Sequence, residues 1–349
     1  MKHKIDMDKK NKILIAACTE GNGHLTQAIA YKERLNTEDN EIVAAIVAKK
    51  KKGAPQYFQD EFNNIVYYNG FDFVFNKSGG VVVWKTIFKN ILKLPLIMKS
   101  FLATVKYIKK QKPNKIINFY DPIIGLTALF CRDVRYVSVS HQFTMELPLY
   151  PKIKGFYIQK FVLKLLNFIC SIRAQKVGLS YYDIHSNEFP IIPPLLRKSS
   201  YIKSSVQEPF ILVYLINEEM LRDLFCEAKK FPLMKFECFS KLTKEYKNKP
   251  KNVKLNQLNA KLFQEKMKIC SGVICSGGFE TSSEAIYQNK PLLMVPCNNH
   301  FEQHANSNDA EMAELAVLSK YIDFSRMPRK VNHDLKWFNK IEKYYQAIN

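Results

Sequence analysis

The strongest constraint on the fold is a pattern that occurs twice: a short aliphatic run, a polar turn, then apolar residues at helical spacing. In the front half, KILIAA at 12–17, the apolar run at 42–48, KIINF at 115–119 and YVSVS at 136–140 read as strands. Helical patterns at 25–35 and 123–132 lie among them. The stretch 186–207 contains Pro190, Pro193 and Pro194 and then a polar run, and reads as an interdomain connection. After it the alternation restarts, with strands expected at 210–216, 235–239, 272–275 and 291–295. Helices are expected at 218–229, 260–268 and 280–288, and residues 334–347 again show apolar positions at helical spacing. Strands alternating with helices predict an α/β chain whose parallel sheets are covered on both faces. A length of 349 residues fits two such halves better than one core.

Charge narrows the function classes. The chain carries 53 Lys plus Arg against 32 Asp plus Glu, a net +21. Nucleic acid, an anionic membrane surface, a phosphorylated substrate or compositional drift would each account for it. Only eight of the basic residues are arginine, which disfavours nucleic acid, because base readout and bidentate phosphate contacts favour arginine. The excess sits in the front half: 73–120 and 147–182 contain no acidic residue, yet hold ten lysines and six Lys or Arg respectively. Within them Lys85, Lys89, Lys93 and Lys99, and later Lys160 and Lys164, alternate with large apolar side chains. Two readings stand: helices whose apolar face meets an anionic membrane, or core helices with solvated lysines. Eight cysteines show no C-x-x-C pair, and the opening MKHKIDMDKKNK has no apolar signal core. Reduced thiols and a cytoplasmic location are expected. No apolar run approaches the ~18 to 20 residues of a membrane span, so attachment would be peripheral, on the inner face of the cell membrane.

Chemistry is expected where strand C-ends meet helix N-termini. After the first strand comes Glu20-Gly21-Asn22-Gly23-His24, in which the glycines permit close backbone approach and His24 is suited to general-base work. Asp121 follows KIINF at the same sheet edge; it would either orient His24 or cap the helix that begins at Pro122. His141 and Gln142 close the next strand, as contact residues or as ordinary loop. The most informative stretch is 270–307. There the strand GVIC leads into Ser276-Gly277-Gly278, a helix start FETSSEA, the strand PLLMVP and then CNNHFEQHANS. A diglycine at a helix N-terminus forms an anion seat suited to a pyrophosphate. Glu284 within that helix could accept from ribose hydroxyls, and Glu302 and Gln303 could reach sugar hydroxyls.

CSGGFETSSEAIYQNKPLLMVPCNNHFEQHANS at 275–307 resembles the donor-binding signature of GT-B glycosyltransferases of families 1 and 28, and EGNGHLTQA at 20–28 is similar to their N-terminal G-x-G-H loop. That group includes UDP-dependent glycosyltransferases and the enzyme that adds N-acetylglucosamine to lipid I. The resemblance implies two Rossmann-like domains with parallel sheets facing across a cleft: an acceptor domain at 1–197, a nucleotide-sugar domain at 198–333, and a terminal helix at 334–349 packing back on the first. It implies His24 as base and Asp121 as its orienting acid. Gly21, Asn22, Gly23, His141 and Gln142 fall on the acceptor side. Ser276, Gly277, Gly278, Thr281 and Ser282 match the diphosphate seat, Glu284 the ribose carboxylate, Glu302 and Gln303 the sugar-binding pair. Arg197 resembles an arginine that meets donor phosphates. Ser276 stands where the plant members carry His, and Glu280 where they carry Asn.

The expected function is therefore inverting, metal-independent transfer from a nucleotide-diphosphate sugar, UDP-sugar favoured, with no bound cofactor. The acceptor is unknown, with a lipid-linked or cell-envelope hydroxyl expected. His300 and His304 are four apart like zinc ligands, but no helix is expected at a strand exit. The alternatives are a nucleotide-sugar 2-epimerase of the same fold, or a non-catalytic membrane- or nucleic-acid-binding protein on a degenerate scaffold.

Overall fold

The computed structural model describes residues 10–50, 53–74, 76, 81–215, 217–240, 246–346 and 348. The polar opening 1–9, and positions 216, 347 and 349 at the ends of expected elements, lie outside the described residues.

Among the described residues the strands form two sheets, and every pairing is parallel. The first contains β1 (Asn11–Ala17), β2 (Asn40–Ala48), β3 (Ile65–Tyr68), β4 (Lys115–Phe119), β5 (Arg135–Ser140), β6 (Ala174–Leu179) and β7 (Ile191–Ile192), in the order β3-β2-β1-β4-β5-β6-β7. The second contains β8 (Phe210–Leu215), β9 (Lys235–Ser240), β10 (Val253–Gln257), β11 (Gly272–Cys275), β12 (Leu292–Met294) and β13 (Val317–Leu318), in the order β10-β9-β8-β11-β12-β13. In both sheets the order reverses beside the first strand, at β1–β4 and at β8–β11. Such switch points open a crevice at the strand C-ends.

Each sheet has a helical layer on both faces. Side chains from one face of each sheet, such as Ile13, Ile15 and Phe119 in the first and Leu212, Val273 and Met294 in the second, join one apolar cluster that runs between the halves. The opposite faces have separate cores, around Leu14, Ile46 and Ile116 and around Val213, Phe236 and Ile274. The chain end belongs to the shared cluster as two short helices, Lys336–Asn339 and Ile341–Tyr345, rather than one. Tyr345 donates its hydroxyl to Tyr31 O at 2.6 Å and Trp337 donates Nε1–H to Ser180 O at 2.9 Å, so this segment rests on the front half.

Helix ends follow local chemistry. The helix Glu218–Lys230 is capped by Asn217, whose side chain accepts from Met220 N, with Glu218 and Glu219 in its first turn and Lys229 and Lys230 in its last. That arrangement complements the helix dipole. The expected helix at 123–132 is shorter, Pro122–Thr127. The helices of the two basic, acid-free stretches are buried to different extents. The helix Leu94–Gln111 buries a regular face of Ile97, Phe101, Val105 and Ile108. The helix Val83–Leu92 buries nothing, and Tyr157–Cys170 buries only Asn167 and Cys170. Among the described residues no helix is long and apolar enough to cross a membrane.

Candidate active site

β1 ends at Ala17, and after a short loop the helix Gly23–Arg34 opens with its face of Leu25, Ala28 and Ile29 locked onto the sheet. This fixes His24 at the crevice. Gly21 has φ +86°, and Asn22 occupies the N-cap position with its carbonyl accepting from Thr26 N and its Oγ1. At Gly23 an added Cβ would lie 3.2 Å from Glu280 Cγ, so this loop passes close to the other half of the molecule.

The His24 ring is held on three sides. Tyr120 stacks on it with centroids 5.4 Å apart. Nδ1 lies 3.1 Å from Gln27 Oε1, and Nε2 lies 3.4 Å from Gln142 Nε2. Gln27 donates Nε2–H to Glu280 Oε1 at 2.6 Å, and Gln142 donates Nε2–H to Glu302 Oε1 at 3.1 Å. His24 thus sits between two glutamine–glutamate pairs, with both glutamates supplied by the other half. The amide senses agree with one tautomer: Nδ1–H donates to Gln27, and the Nε2 lone pair faces the Gln142 amide. Desolvation in the crevice lowers the His24 pKa to about 4, so the ring is neutral at pH 7.

Asp121 does not orient His24. Its Oδ1 accepts from Ile124 N at 3.1 Å as a helix cap, and its Oδ2 accepts the Tyr68 hydroxyl. The reason is the two-sided sheet: Asp121 joins the layer of Tyr68 and Ile124, whereas the His24 helix covers the opposite face. Burial pushes the Asp121 carboxyl up to about 6. Tyr120, one residue earlier, turns to the His24 side with φ +58° and donates its hydroxyl to Asn167 Oδ1 at 2.5 Å. A left-handed tyrosine is uncommon and marks a position that the surrounding packing must hold.

His141 is a core residue rather than an acceptor contact. Its Nδ1 is 2.6 Å from Leu179 O, its Nε2 is 3.3 Å from the Tyr150 hydroxyl, and its ring stacks on Phe279 at 3.8 Å. Burial lowers its pKa to about 3. It therefore seals the junction between the halves as an aromatic plate.

The candidate donor seat follows β11. Ser276 is buried, and Gly277 has φ +83° with its missing side chain facing Ser307 and Gln303. Gly278 is the N-cap of the helix Phe279–Tyr287, which has no side-chain cap, and nothing lies within 4 Å of where a Gly278 Cβ would be. First-turn amides without a side-chain cap are available to an anion. Thr281 is half-buried in that turn. Ser282 faces away from the seat: its hydroxyl bonds Gly278 O and Phe279 O within the helix and lies 2.7 Å from the Tyr181 hydroxyl.

Glu284 Oε1 accepts from Ser200 Oγ at 2.9 Å and pairs with Arg197 Nη2 at 3.2 Å. These two donor-side candidates thus hold each other. Burial raises the Glu302 pKa. Gln303 Oε1 accepts from Cys297 N at 2.9 Å and braces the loop beside the seat. Contrary to expectation a helix does start here, Phe301–Met312, with His300 as N-cap and His304 in its first turn. Among the described residues no three His, Cys, Asp or Glu side chains are grouped to hold a metal.

Gln27, Tyr120, Tyr181 and the contact role of Glu280 escaped the sequence reading. Gln27 lies three residues after His24 on a helix, a spacing that brings side chains together. The others meet His24 or the seat only through tertiary contacts.

A family model described as Glycosyl transferase family 1 matches residues 11–333. Among solved structures, MurG of Acinetobacter baumannii is 16% identical, with 89% of this chain and 86% of that chain covered and a TM-score of 0.53. UGT2 of Phytolacca americana, solved with UDP-2-fluoro-glucose and pterostilbene, is 10% identical over 97% and 94% of the two chains, with a TM-score of 0.59. The spinosyn forosaminyltransferase SpnP is 10% identical over 98% and 93%, with a TM-score of 0.58. No curated protein matches at a significant level. At these identities the structures establish the shared GT-B architecture, and the family match extends over almost the whole chain: the protein belongs to glycosyl transferase family 1 and is a GT-B glycosyltransferase.

Proposed function

We propose that the enzyme transfers a sugar from a nucleotide-diphosphate sugar, UDP-sugar by preference, to an acceptor hydroxyl, with inversion and without a metal. The observation that carries this reading is His24: a neutral ring at the crevice whose Nε2 keeps its lone pair, on a loop that passes close to the uncapped start of the helix Phe279–Tyr287. In the proposed step His24 Nε2 takes the acceptor hydroxyl proton. The acceptor oxygen attacks the anomeric carbon as the bond to the diphosphate oxygen breaks. The leaving oxygen's electron pair is met by the amides at Gly278 and the first turn of Phe279–Tyr287, dipoles already fixed in place by the helix. The Gln142–Glu302 contact closes this space, so a donor sugar would take over Glu302 from Gln142. Anomeric analysis of the product by NMR, after incubation with UDP-, GDP- and dTDP-sugars and simple alcohol acceptors, tests the reading. Inversion is expected, and a product that keeps the donor configuration contradicts it.

The acceptor side favours a lipid-linked hydroxyl. Trp84, Phe88 and Leu92 on one helix and Tyr157, Phe161 and Phe168 on another are 65–82% exposed. Lys85, Lys89, Lys160 and Lys164 lie among them. Exposed apolar faces rimmed by lysine suit an anionic bilayer surface. The second helix also backs the site directly: Asn167 accepts from Tyr120 and donates Nδ2–H to Gln142 O at 2.9 Å. Co-sedimentation with vesicles rich in anionic lipid is expected to exceed that with zwitterionic vesicles and to fall when Phe88 and Phe161 become Ser. Equal sedimentation with both vesicle types returns the charge excess to composition.

A further inference from the structure

Gln27 and Glu280 are 253 positions apart in sequence, lie on different halves and are both buried, yet they share one of the shortest side-chain contacts at the site, 2.6 Å. Gly23 makes this approach possible, since a side chain there would press on Glu280 Cγ at 3.2 Å. Glu280 Oε2, the second carboxyl oxygen, is buried and has no hydrogen-bond partner. The carboxyl therefore has a single polar engagement in this crevice, and it is with the amide that touches the base.

We propose that Glu280 is a positioning residue for the base: acting through Gln27, it holds His24 as the Nδ1–H tautomer, and it does so only while the two halves are closed on each other. This inference rests on the reading of His24 as base. A primary amide can turn over, and the two orientations are nearly equal in shape. With Gln27 oxygen toward His24, Nδ1 carries the hydrogen and Nε2 keeps its lone pair for the acceptor proton. With the amide reversed, the Gln27 NH2 would face Nδ1, the ring hydrogen would move to Nε2, and the base would point an N–H at its substrate.

Glu280 selects the first orientation, because Oε1 accepts and so draws the Gln27 NH2 away from the ring. Desolvation, opposed by Gln27, raises the Glu280 pKa to about 8, so at neutral pH the carboxyl is largely protonated. The proton then belongs on the unpartnered Oε2, and Oε1 remains an acceptor in either charge state. A neutral carboxyl also avoids placing a full negative charge beside the helix start that would receive a diphosphate. On the other side of the ring, Gln142 donates toward Nε2, which requires the same tautomer. Because Glu280 comes from the first turn of Phe279–Tyr287, closure of the donor half and preparation of the base become one event.

Glu280→Leu, similar in volume, and Glu280→Gln, whose amide oxygen can still accept from Gln27, test this directly. Two quantities are read: kcat and KM for the donor, and the tautomer of His24 by NMR of isotope-labelled histidine. Glu280→Leu is expected to lower kcat about tenfold or more with a small change in KM, and to shift His24 toward the Nε2–H form. Glu280→Gln is expected to recover most of both losses. An unchanged tautomer in Glu280→Leu, or a Glu280→Gln enzyme as slow as Glu280→Leu, overturns the proposal. The tautomer measurement stands whether or not His24 is the base: full transfer by His24→Ala would end the base reading, while the ring shifts would still decide the relay.

Discussion

His24→Ala is expected to lower kcat by about 10² to 10⁴ while leaving donor binding and the fold intact, the span that general-base catalysis usually contributes. The ring is half-buried and its neighbours Gln27, Gln142 and Tyr120 are held by other partners, so truncation removes the proton acceptor without opening the core. The pH profile carries a second signature. Desolvation gives His24 a pKa of about 4 in the free enzyme, below the ordinary value of 6.5. The acid limb of kcat/KM should therefore fall near pH 4 to 5 rather than near 6.5, since kcat/KM reports the free enzyme. A low pKa also makes a weaker base, and under the proposed mechanism the approach of a diphosphate anion would raise it toward the value that proton transfer needs. A His24→Ala enzyme that transfers sugar at the wild-type rate would remove the base from the mechanism.

The second large effect is structural. Gly277→Ala would place a Cβ 2.6 Å from Ser307 Oγ and 2.8 Å from Gln303 O, at a residue with φ +83°. Left-handed backbone and overpacking together cost about 2 to 4 kcal/mol, so the variant should unfold at visibly lower temperature or denaturant concentration. Gly278→Ala supplies the contrast. It has φ −73° and open space within 4 Å of the added methyl, so its stability should change by no more than about 0.5 kcal/mol. That open space is where the donor diphosphate is proposed to lie, and so Gly278→Ala should weaken donor binding in a protein of normal stability. Chemical denaturation of both variants, paired with nucleotide titration, separates the backbone requirement at 277 from the ligand requirement at 278. Normal stability in Gly277→Ala would contradict the packing account of this turn.

Much of the fold was readable because its central strands are covered on both faces. KILIAA, KIINF and GVIC are short aliphatic runs of the kind a buried parallel strand requires, and they lie at the centres of their sheets. β10 was not readable: Val253–Gln257 pairs only with β9, and its VKLNQ carries the polar residues an edge strand tolerates. β3 is the edge of the first sheet and was also missed, although its IVYY is β-branched and aromatic, because the run is only four residues long. At the site, the strand-end rule brought His24 and the Gly277–Gly278 turn into view. It left two roles open for Asp121, and the structure shows the helix cap, because sharing a sheet edge does not mean sharing a face. The true neighbour of the His24 ring is Tyr120, which a left-handed backbone turns to that side. His141 had a sequence context like that of His24 but was drawn into the junction by Phe279. The glutamates that reach His24 through Gln27 and Gln142 come from the other half, and no local pattern in the sequence announces a contact between halves.

The charge excess acquires a location rather than a single partner. The proposed donor seat would consist mainly of backbone amides, and Arg197, its nearest arginine candidate, is paired with Glu284. The lysines among exposed aromatic side chains on Val83–Leu92 and Tyr157–Cys170 remain, and the second of these helices backs Gln142 and Tyr120 through Asn167.

The central claim is that the turn Ser276–Gly278 and the helix start after it hold a nucleotide diphosphate opposite His24. Thermal unfolding in the presence of UDP and of UDP-, GDP- and dTDP-sugars tests it most directly, since a ligand at a hundredfold excess over its Kd adds about 2.7 kcal/mol to stability. The account predicts that at least one nucleotide raises the melting temperature of the wild type and of His24→Ala by the same amount, and that Gly278→Ala loses most of this rise. No stabilisation by any nucleotide, or an equal rise in Gly278→Ala, would contradict it.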